Sequence, residues 1–144
     1  MNYFTDKELQ CPCCKITNID SRFLEKINRA RHISQVPYVV NSACRCKKHN
    51  KKVGGSLTSS HLFGNVNRLK VKTQAMDIKI TDSNQLYKIQ YGLHDAGFER
   101  FFVYCRIDFD GDGSTIIVPK HIHVDNDPTK PPRIFKIKTY GVNI

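Results

Sequence analysis

The sequence lacks any apolar run near the 18 residues that a membrane-spanning helix requires. Its first ten residues, MNYFTDKELQ, are polar and lack the apolar stretch of a secretory signal peptide. We therefore expect a protein that is synthesised in the cytoplasm without a signal peptide and has no membrane span. No internal repeat or low-complexity segment is visible, so the sequence does not indicate a repeat architecture.

Acidic residues are scarce relative to basic ones. The chain has 13 Asp and Glu against 23 Lys and Arg, which gives a formal net charge of +10. Such a surface favours polyanions, namely nucleic acid, anionic lipid or acidic cell-wall polymers. The sequence shows no aromatic stacking platform and no familiar nucleic-acid motif, so nucleic acid is the less favoured partner. A basic nucleic-acid-associated protein remains an alternative hypothesis.

The length and composition are those of one compact domain. With 144 residues, 40% of them hydrophobic and 25% charged, the chain is long enough to bury a core. We treat residues 1–144 as a single domain with a core over 4–127 and a C-terminal tail over 128–144, and we expect a monomer.

Six cysteines stand at positions 11, 13, 14, 44, 46 and 105. Without a signal peptide, a disulfide framework is not the default expectation. Buried free thiols are the simplest interpretation. Structural zinc held by the segments CPCC and CRC is the alternative, although the spacing is not that of two C-x-x-C pairs.

The hydrophobic periodicity mixes helices with strands. Apolar residues at helical spacing predict helices over 20–33 and 83–97, and β-branched or alternating segments predict strands. The fold class is therefore α+β, with a small antiparallel sheet of three to four strands and helices on one side. The tail either adds an edge strand or packs on the surface. The predicted strands cover 37–45, 74–80, 100–109 and 114–125, with a helical turn over 47–52.

The segment DFDGDG, which contains Asp108, Asp110 and Asp112, matches the first half of a calcium-binding loop. The twelfth position of that loop is Pro119, where a glutamate is needed, and strands flank it. A hairpin turn is therefore the simpler interpretation, with calcium as an open alternative.

Three separated segments carry residues suited to one metal site. In the strand that contains HIH, His121 and His123 point to the same face because side chains alternate. Asp77 on another strand and His61 at the end of a loop can reach the same space. Two imidazoles and one carboxylate leave a fourth position open for water, which is typical of catalytic zinc. Isolated polar residues are the alternative interpretation.

Several of these motifs occur in the order of a known family. The segments NSACRCKKHNKKVGGSLTSSHLFG, QAMDIKI and HIHVD resemble the zinc D-alanyl-D-alanine peptidases, and in particular a phage endolysin-like branch. The resemblance covers about residues 4–127. It implies the hedgehog/DD-peptidase fold that lysostaphin and hedgehog-type domains share, a Zn²⁺ cofactor, and peptidoglycan peptide as the substrate.

The resemblance also assigns roles position by position. It implies that His61, Asp77 and His123 hold zinc and that Arg45 and His121 are catalytic. Ser59 matches a motif serine and would position the loop or the substrate. Lys120 stands where many members carry the general-base acid, and it could instead bind a substrate carboxylate. The base could then be His121, Asp125 or an aspartate of the turn over 108–112.

A second departure is a nine-residue insertion, NVNRLKVKT over 65–73, between the first histidine and the aspartate. We expect it at the rim of the cleft, where its three positive charges would influence substrate choice.

The resulting hypothesis is a zinc metallopeptidase of the D-Ala-D-Ala carboxypeptidase or L-Ala-D-Glu endopeptidase type. The basic charge would attract it to anionic cell-wall polymers. A phage lysin, released by a holin or carried in a virion, fits that description. The alternative is a zinc-containing binding module of the same fold that has lost catalysis.

Overall fold

The computed structural model describes residues 2–109 and 111–140, and for residues 134–140 it describes the backbone alone. Within these ranges, no helix has both the length and the apolar character needed to cross a bilayer. The helices are α1 Asp6–Leu9, α2 Ser21–Ser34, α3 Lys47–Lys52 and α4 Ser83–Asp95. The strands are β1 Val40–Ser42, β2 Gly64–Val66, β3 Leu69–Val71, β4 Ala75–Lys79, β5 Arg100–Phe109, β6 Thr115–Asp125 and β7 Arg133–Tyr140.

The main sheet has the strand order β1-β4-β6-β5-β7. Its first four strands pair antiparallel, which confirms the α+β class with an antiparallel sheet of up to four strands. The tail adds β7 at the edge beside β5, and this pair is parallel. The sequence left the edge strand open and gave no indication of its direction.

Both long helices begin at an aspartate cap. The Asp20 carboxylate accepts a hydrogen bond from Phe23 N–H at 3.0 Å, and Asp82 accepts one from Gln85 N–H at 2.8 Å. These bonds satisfy backbone donors that a helix leaves unpaired in its first turn. The helices predicted over 20–33 and 83–97 are thereby confirmed as α2 and α4.

The two helices pack closely at Gly92. A Cβ added there would lie 2.5 Å from the Ala30 carbonyl oxygen and 2.8 Å from the Ser34 Cβ, so only glycine fits the present spacing. The core between these helices and the sheet contains Phe23, Ile27, Ala30, Ile89 and Leu93 from the helices and Met76, Ile78, Phe101, Ile122 and Val124 from the strands.

Alternation along the strands divides the sheet into two faces. On β4, Met76 and Ile78 enter the core, and on β6, Ile122 and Val124 do the same. The residues between them, including Asp77, must point to the opposite face. The side of the sheet that the helices do not cover is therefore free to carry a polar site.

The first strand is shorter than the predicted 37–45. It ends at Ser42 because the chain then turns towards other partners. The Cys44 N–H donates to Leu9 O at 3.1 Å, and Arg45 N–H donates to His61 O at 2.9 Å. These bonds bring Arg45 beside the loop that carries His61.

The insertion over 65–73 forms most of a small hairpin of β2 and β3, which the sequence did not predict as strands. Its two-residue turn is Asn67-Arg68, with φ of 50° and 66°. Positive φ at both positions matches the twist of a hairpin, but arginine there is an unusual sequence signal. The hairpin lines a groove beside the loop of Ser59 and Ser60.

The predicted hairpin turn after β5 is also present, because Phe109 pairs with Thr115. The Asp108 carboxylate is paired with the Arg106 guanidinium, and Asp112 Oδ1 accepts a bond from Ser114 N–H at 2.9 Å. Asp110 of the possible calcium loop lies outside the described residues. The two described carboxylates therefore serve the hairpin itself.

Candidate metal centre

The register of three neighbouring strands builds the site. Asp77 on β4 lies directly opposite His123 on β6, and His123 lies opposite Phe102 on β5. The next row pairs His121 with Tyr104. Partners opposite each other in antiparallel strands have Cβ atoms about 5 Å apart, so the two rows bring imidazoles, a carboxylate and aromatic rings together.

His61 approaches this face from a loop that several hydrogen bonds hold in place. Its carbonyl oxygen accepts bonds from Arg45 N–H at 2.9 Å and from Thr73 Oγ1–H at 2.8 Å. Its ring Nδ1 lies 2.7 Å from Ala43 O. A carbonyl can only accept, so Nδ1 carries the proton and Nε2 presents a lone pair.

That lone pair has no hydrogen-bond partner although it is buried. His61 Nε2 lies 3.2 Å from Asp77 Oδ1, but the two atoms do not meet in hydrogen-bond geometry. His123 Nδ1 lies 2.8 Å from the same oxygen. A neutral imidazole lone pair facing a carboxylate is unfavourable unless a cation lies between them.

The three side chains predicted as ligands therefore meet. One donor atom from each of His61, Asp77 and His123 lies within 4.8 Å of the others. Two imidazole nitrogens and one carboxylate oxygen are the donor set of a catalytic zinc site. The unpartnered Nε2 and this donor chemistry both fit a zinc ion.

Two of the three proposed ligands, Asp77 and His61, are already in the protonation state that binds a cation. Burial raises the pKa of the Asp77 carboxyl, but His61 and His123 outweigh it and hold the pKa well below its usual range. Burial lowers the pKa of His61, which favours the neutral imidazole. The Asp77 carboxylate and the His61 imidazole are therefore in the forms that bind a metal. Burial lowers the pKa of His123, but its hydrogen bonds to Asp125 and Asp77 outweigh burial and raise it, so His123 must release a proton when a metal binds.

Asp125 orients His123 from behind. Its Oδ2 accepts from His123 Nε2–H at 2.8 Å and from Arg100 Nε–H at 2.9 Å. A carboxylate in this place fixes which ring nitrogen faces the metal. The Asp125 side chain has 0% exposure. Its contacts and burial favour a positioning role over that of general base.

Asp108, the first aspartate of the turn, lies far from the site along β5. Asp108 lies four residues beyond Tyr104 on β5, which corresponds to about 13 Å along a strand. Its carboxylate is engaged by Arg106. Among the described residues that line the cleft, Asp77 is the one carboxylate.

Two further side chains predicted as catalytic reach the same face. Arg45 Nη2 lies 3.2 Å from Asp77 Oδ2, and its Nε–H donates to Ser42 Oγ at 2.9 Å. His121 Nε2 lies 4.0 Å from Asp77 Oδ2. The His121 ring stacks on Tyr104 with centroids 4.7 Å apart, and burial lowers its pKa. His121 is therefore held as a neutral imidazole at the edge of the site.

The two residues predicted to position substrate differ in placement. Ser59 lines the cleft, and its Oγ accepts from His61 N–H at 3.3 Å, so it braces the loop that carries the histidine. Lys120 is the extra residue of a bulge, because Tyr104 and Cys105 pair with His121 and Pro119.

The positive charge of Lys120 influences Asp108, which lies outside the metal site. Hydrogen bonds from Arg106 lower the pKa of Asp108, and the charge of Lys120 adds to this effect. Lys120 is not among the described residues that line the cleft, so its contact with substrate stays a prediction.

The cleft in front of the triad has a volume of about 450 Å³. Its walls carry three cationic side chains, which are Arg45, Arg100 and Lys130. Lys130 Nζ donates to Thr58 O at 2.9 Å and to Ser60 Oγ at 2.7 Å. The site is therefore a water-accessible pocket with a positive rim around one buried carboxylate.

Sequence reasoning did not find Phe102, Tyr104 or Arg100. Phe102 stacks on His123 with centroids 4.9 Å apart, and Tyr104 stacks on His121. Their alternation along β5 could have indicated a shared face, but the register that sets them beside the histidines is not readable from the sequence.

Comparison with known proteins agrees with this geometry. The family model described as Peptidase M15 matches residues 2–125. No curated protein and no solved structure matches the chain significantly. The matched region contains the whole histidine and aspartate site together with Arg45 and His121. The chain therefore belongs to the peptidase M15 family.

Proposed function

We propose that the protein is a zinc-dependent peptidase that cleaves the peptide stems of peptidoglycan. The observation that carries this proposal is the buried His61 Nε2, which lacks a hydrogen-bond partner and faces the carboxylate that His123 also contacts. The family match supports peptidase chemistry for the same residues. The bond cleaved is of the D-Ala-D-Ala or the L-Ala-D-Glu type.

A zinc ion held by His61, Asp77 and His123 would supply Lewis-acid polarisation of the amide carbonyl and a nucleophile at neutral pH. Arg45 places a fixed positive charge beside Asp77, on the wall of the cleft. A guanidinium in that position stabilises the negative charge that develops on the carbonyl oxygen.

His121 moves the proton. Hydrolysis breaks the amide C–N bond and joins the oxygen of water to the carbonyl carbon, so one proton must pass from water to the leaving nitrogen. Because burial lowers its pKa, the His121 imidazole is neutral and can accept that proton. Stacking on Tyr104 fixes the plane of the ring during the transfer. We assign His121 as the general base and acid.

The positive rim suits a stem peptide that carries carboxylates. Both bond types lie next to a free carboxylate, on the terminal D-Ala in one case and on D-Glu in the other. Arg100 and Lys130 hold positive charge at one side of the cleft, although each is already hydrogen-bonded within the protein. Their field attracts an anionic substrate without requiring a direct ion pair.

The charge of the whole molecule supports a wall-directed role. A net charge of +10 raises the local concentration of the enzyme at an anionic cell wall. We further propose that the protein acts as a phage lysin, which is made in the cytoplasm and reaches the wall through a holin or within a virion.

The test is digestion of purified peptidoglycan by the zinc-loaded protein, with new amino groups and released peptides as the readout. We expect release that stops when a chelator removes the metal and resumes when zinc is returned. His123→Ala should lower the rate by about a thousandfold or more, since it removes several kcal/mol of transition-state stabilisation. His94→Ala, an exposed histidine near the end of α4, is the matched control and should retain full activity.

The products identify the bond. Free D-Ala from pentapeptide stems indicates the carboxypeptidase type, and a new D-Glu amino terminus indicates the endopeptidase type. Binding to the wall with no release by the zinc-loaded protein would overturn the proposal and would instead indicate a binding module. A salt-dependent shift of DNA with no binding to the wall would indicate a nucleic-acid partner.

A further inference from the structure

A second cluster of metal-binding side chains lies outside the cleft. The Sγ atoms of Cys11, Cys14 and Cys46 all lie within 4.8 Å of one another. Cys11 and Cys14 belong to the turn that follows α1, and Cys46 caps α3. The Cys13 thiol also contacts Cys46. Three thiols from two separate segments therefore share one small volume, and the Cys13 thiol lies next to one of them.

The turn that carries three of these cysteines is closed by its own backbone. Cys11 N–H donates to Ile16 O at 2.9 Å, and Lys15 N–H donates to Cys11 O at 2.9 Å. Lys15 has φ of 60°, which closes the turn in the left-handed region. These main-chain hydrogen bonds fix the backbone of the turn, which limits where its three sulfur atoms can lie.

Backbone donors point at the most buried sulfur. Cys46 N–H lies 3.4 Å from Cys11 Sγ. Backbone groups of Cys13 and Cys14 also hydrogen-bond to this sulfur. Donors aimed at a sulfur stabilise the thiolate, which is the form that binds a metal.

We propose that Cys11, Cys14 and Cys46 hold a second zinc ion, with Cys13 as the fourth ligand, and that this site is structural. Four thiolates around zinc make a closed tetrahedral site that has no open position for water. A disulfide would join two of these sulfurs and leave the other two as free thiols. It would also not account for the backbone donors that point at Cys11 Sγ.

The site connects the N-terminal turn to the catalytic face. Arg45 lies between the proposed ligand Cys46 and Cys44, which is buried beside Cys11 and Phe63. Arg45 in turn reaches Asp77 in the cleft. A zinc ion at the cysteines would therefore fix the segment that positions Arg45. This inference does not depend on the substrate proposed above, because metal content can be measured in the absence of any substrate.

The experiment counts zinc by elemental analysis of the full chain, purified under reducing conditions. We expect two zinc ions per chain in the wild type, one in Cys14→Ser, one in His123→Ala and none in the double variant. Cys14 is exposed, so its replacement does not disturb the core. Cys105→Ala removes a cysteine that lies on β5 outside the cluster, and this control should keep two zinc ions.

Cobalt provides a second readout that does not rely on Cys14→Ser folding. In His123→Ala loaded with Co²⁺, we expect the near-ultraviolet absorption of sulfur-to-cobalt charge transfer. Absence of that band, or one zinc per chain in the wild type that His123→Ala removes, would overturn the cysteine site. Unchanged zinc content in a folded Cys14→Ser protein would overturn it as well.

Discussion

The histidine cluster and the cysteine cluster bring potential metal ligands together by different structural means. Each brings three donor atoms within 4.8 Å of one another. The histidine cluster depends on strand register and on a loop, and it joins residues as far apart in sequence as His61 and His123. The cysteine cluster depends on a tight turn and on one residue, Cys46, that caps a short helix.

The surroundings of the two clusters differ as much as their origins. The histidine cluster opens into a cleft and has Arg45 and His121 at its edge, so a bound metal would meet substrate. The cysteine cluster has a fourth thiol, from Cys13, within reach. Metal ligands with similar spacing can therefore form a catalytic site in one place and a structural site in another. The groups around the ligands determine which role the site has.

The largest expected effect that separates the two clusters is that of His121→Ala. It should lower the rate of peptide release by about a hundredfold to ten-thousandfold, since general acid and base catalysis contributes that much. Zinc content should stay unchanged, because His121 is not one of the three ligands. Steady-state rates and elemental analysis on the same sample check both points. Loss of zinc together with activity would show that His121 is a ligand.

Asp125→Asn should have a smaller effect that is confined to the histidine cluster. Asparagine lacks the negative charge of the carboxylate that accepts a hydrogen bond from His123 Nε2–H. Zinc affinity at that cluster should therefore fall about tenfold to a hundredfold. Competition with a chromogenic chelator measures the affinity. Asp108→Asn is the control, because Asp108 contacts Arg106 and does not contact a histidine of the cluster. Equal affinities in both variants would refute the role of Asp125.

Gly92→Ala should lower stability and leave both clusters intact. The added methyl group would overlap the Ala30 carbonyl and the Ser34 side chain, and overpacking of this kind costs about 1 to 3 kcal/mol. Denaturant unfolding measures the change in the free energy of unfolding. Gly111→Ala, which meets no atom within 4 Å, is the matched control and should be nearly neutral. A similar stability in both variants would disprove the close helix contact.

The smallest expected effect concerns the response of Asp127 to acid, beside the cleft residues Ser60 and Lys130. Burial raises the pKa of the Asp127 carboxyl, but bonds from Thr129 and Ser60, with the charge of Lys130, lower it below 3.8. The stability that Asp127 contributes is therefore present above pH 3.8 and is lost as pH falls through its folded pKa.

Asp127→Asn should accordingly lose less stability on acidification than the wild type does. Thermal unfolding of both proteins between pH 5 and about pH 2.5 measures the difference, which covers the range where a lowered carboxyl pKa acts. Asp95→Asn, at the end of α4, is the control and should follow the wild type. Parallel curves for Asp127→Asn and the wild type would contradict the assignment.

Much of the fold was readable from local pattern. Caps and helical spacing predicted α2 and α4 with their ends within a few residues, and alternation predicted the long strands. Alternation also placed His121 and His123 on one face. The parallel direction of β7 and the hairpin in the insertion escaped prediction, because each depends on tertiary contacts or on an unusual turn.

The metal ligands of the site could be predicted from the sequence, whereas most of the residues that support them could not. The motif order identified His61, Asp77 and His123, which the structure brings together. The same alternation that joined the two histidines could have placed Asp125 beside them. Tyr104 and the bulge at Lys120 could not be predicted, because both depend on the register between β5 and β6.

The most direct test of the central claim is the location of zinc in crystals of the purified protein by anomalous scattering at the zinc absorption edge. We expect a peak bonded to His61 Nε2, an Asp77 carboxylate oxygen and His123 Nδ1, with a second peak among the cysteines. No peak at the histidine cluster in zinc-loaded crystals, or a peak that His61 does not contact, would contradict the account.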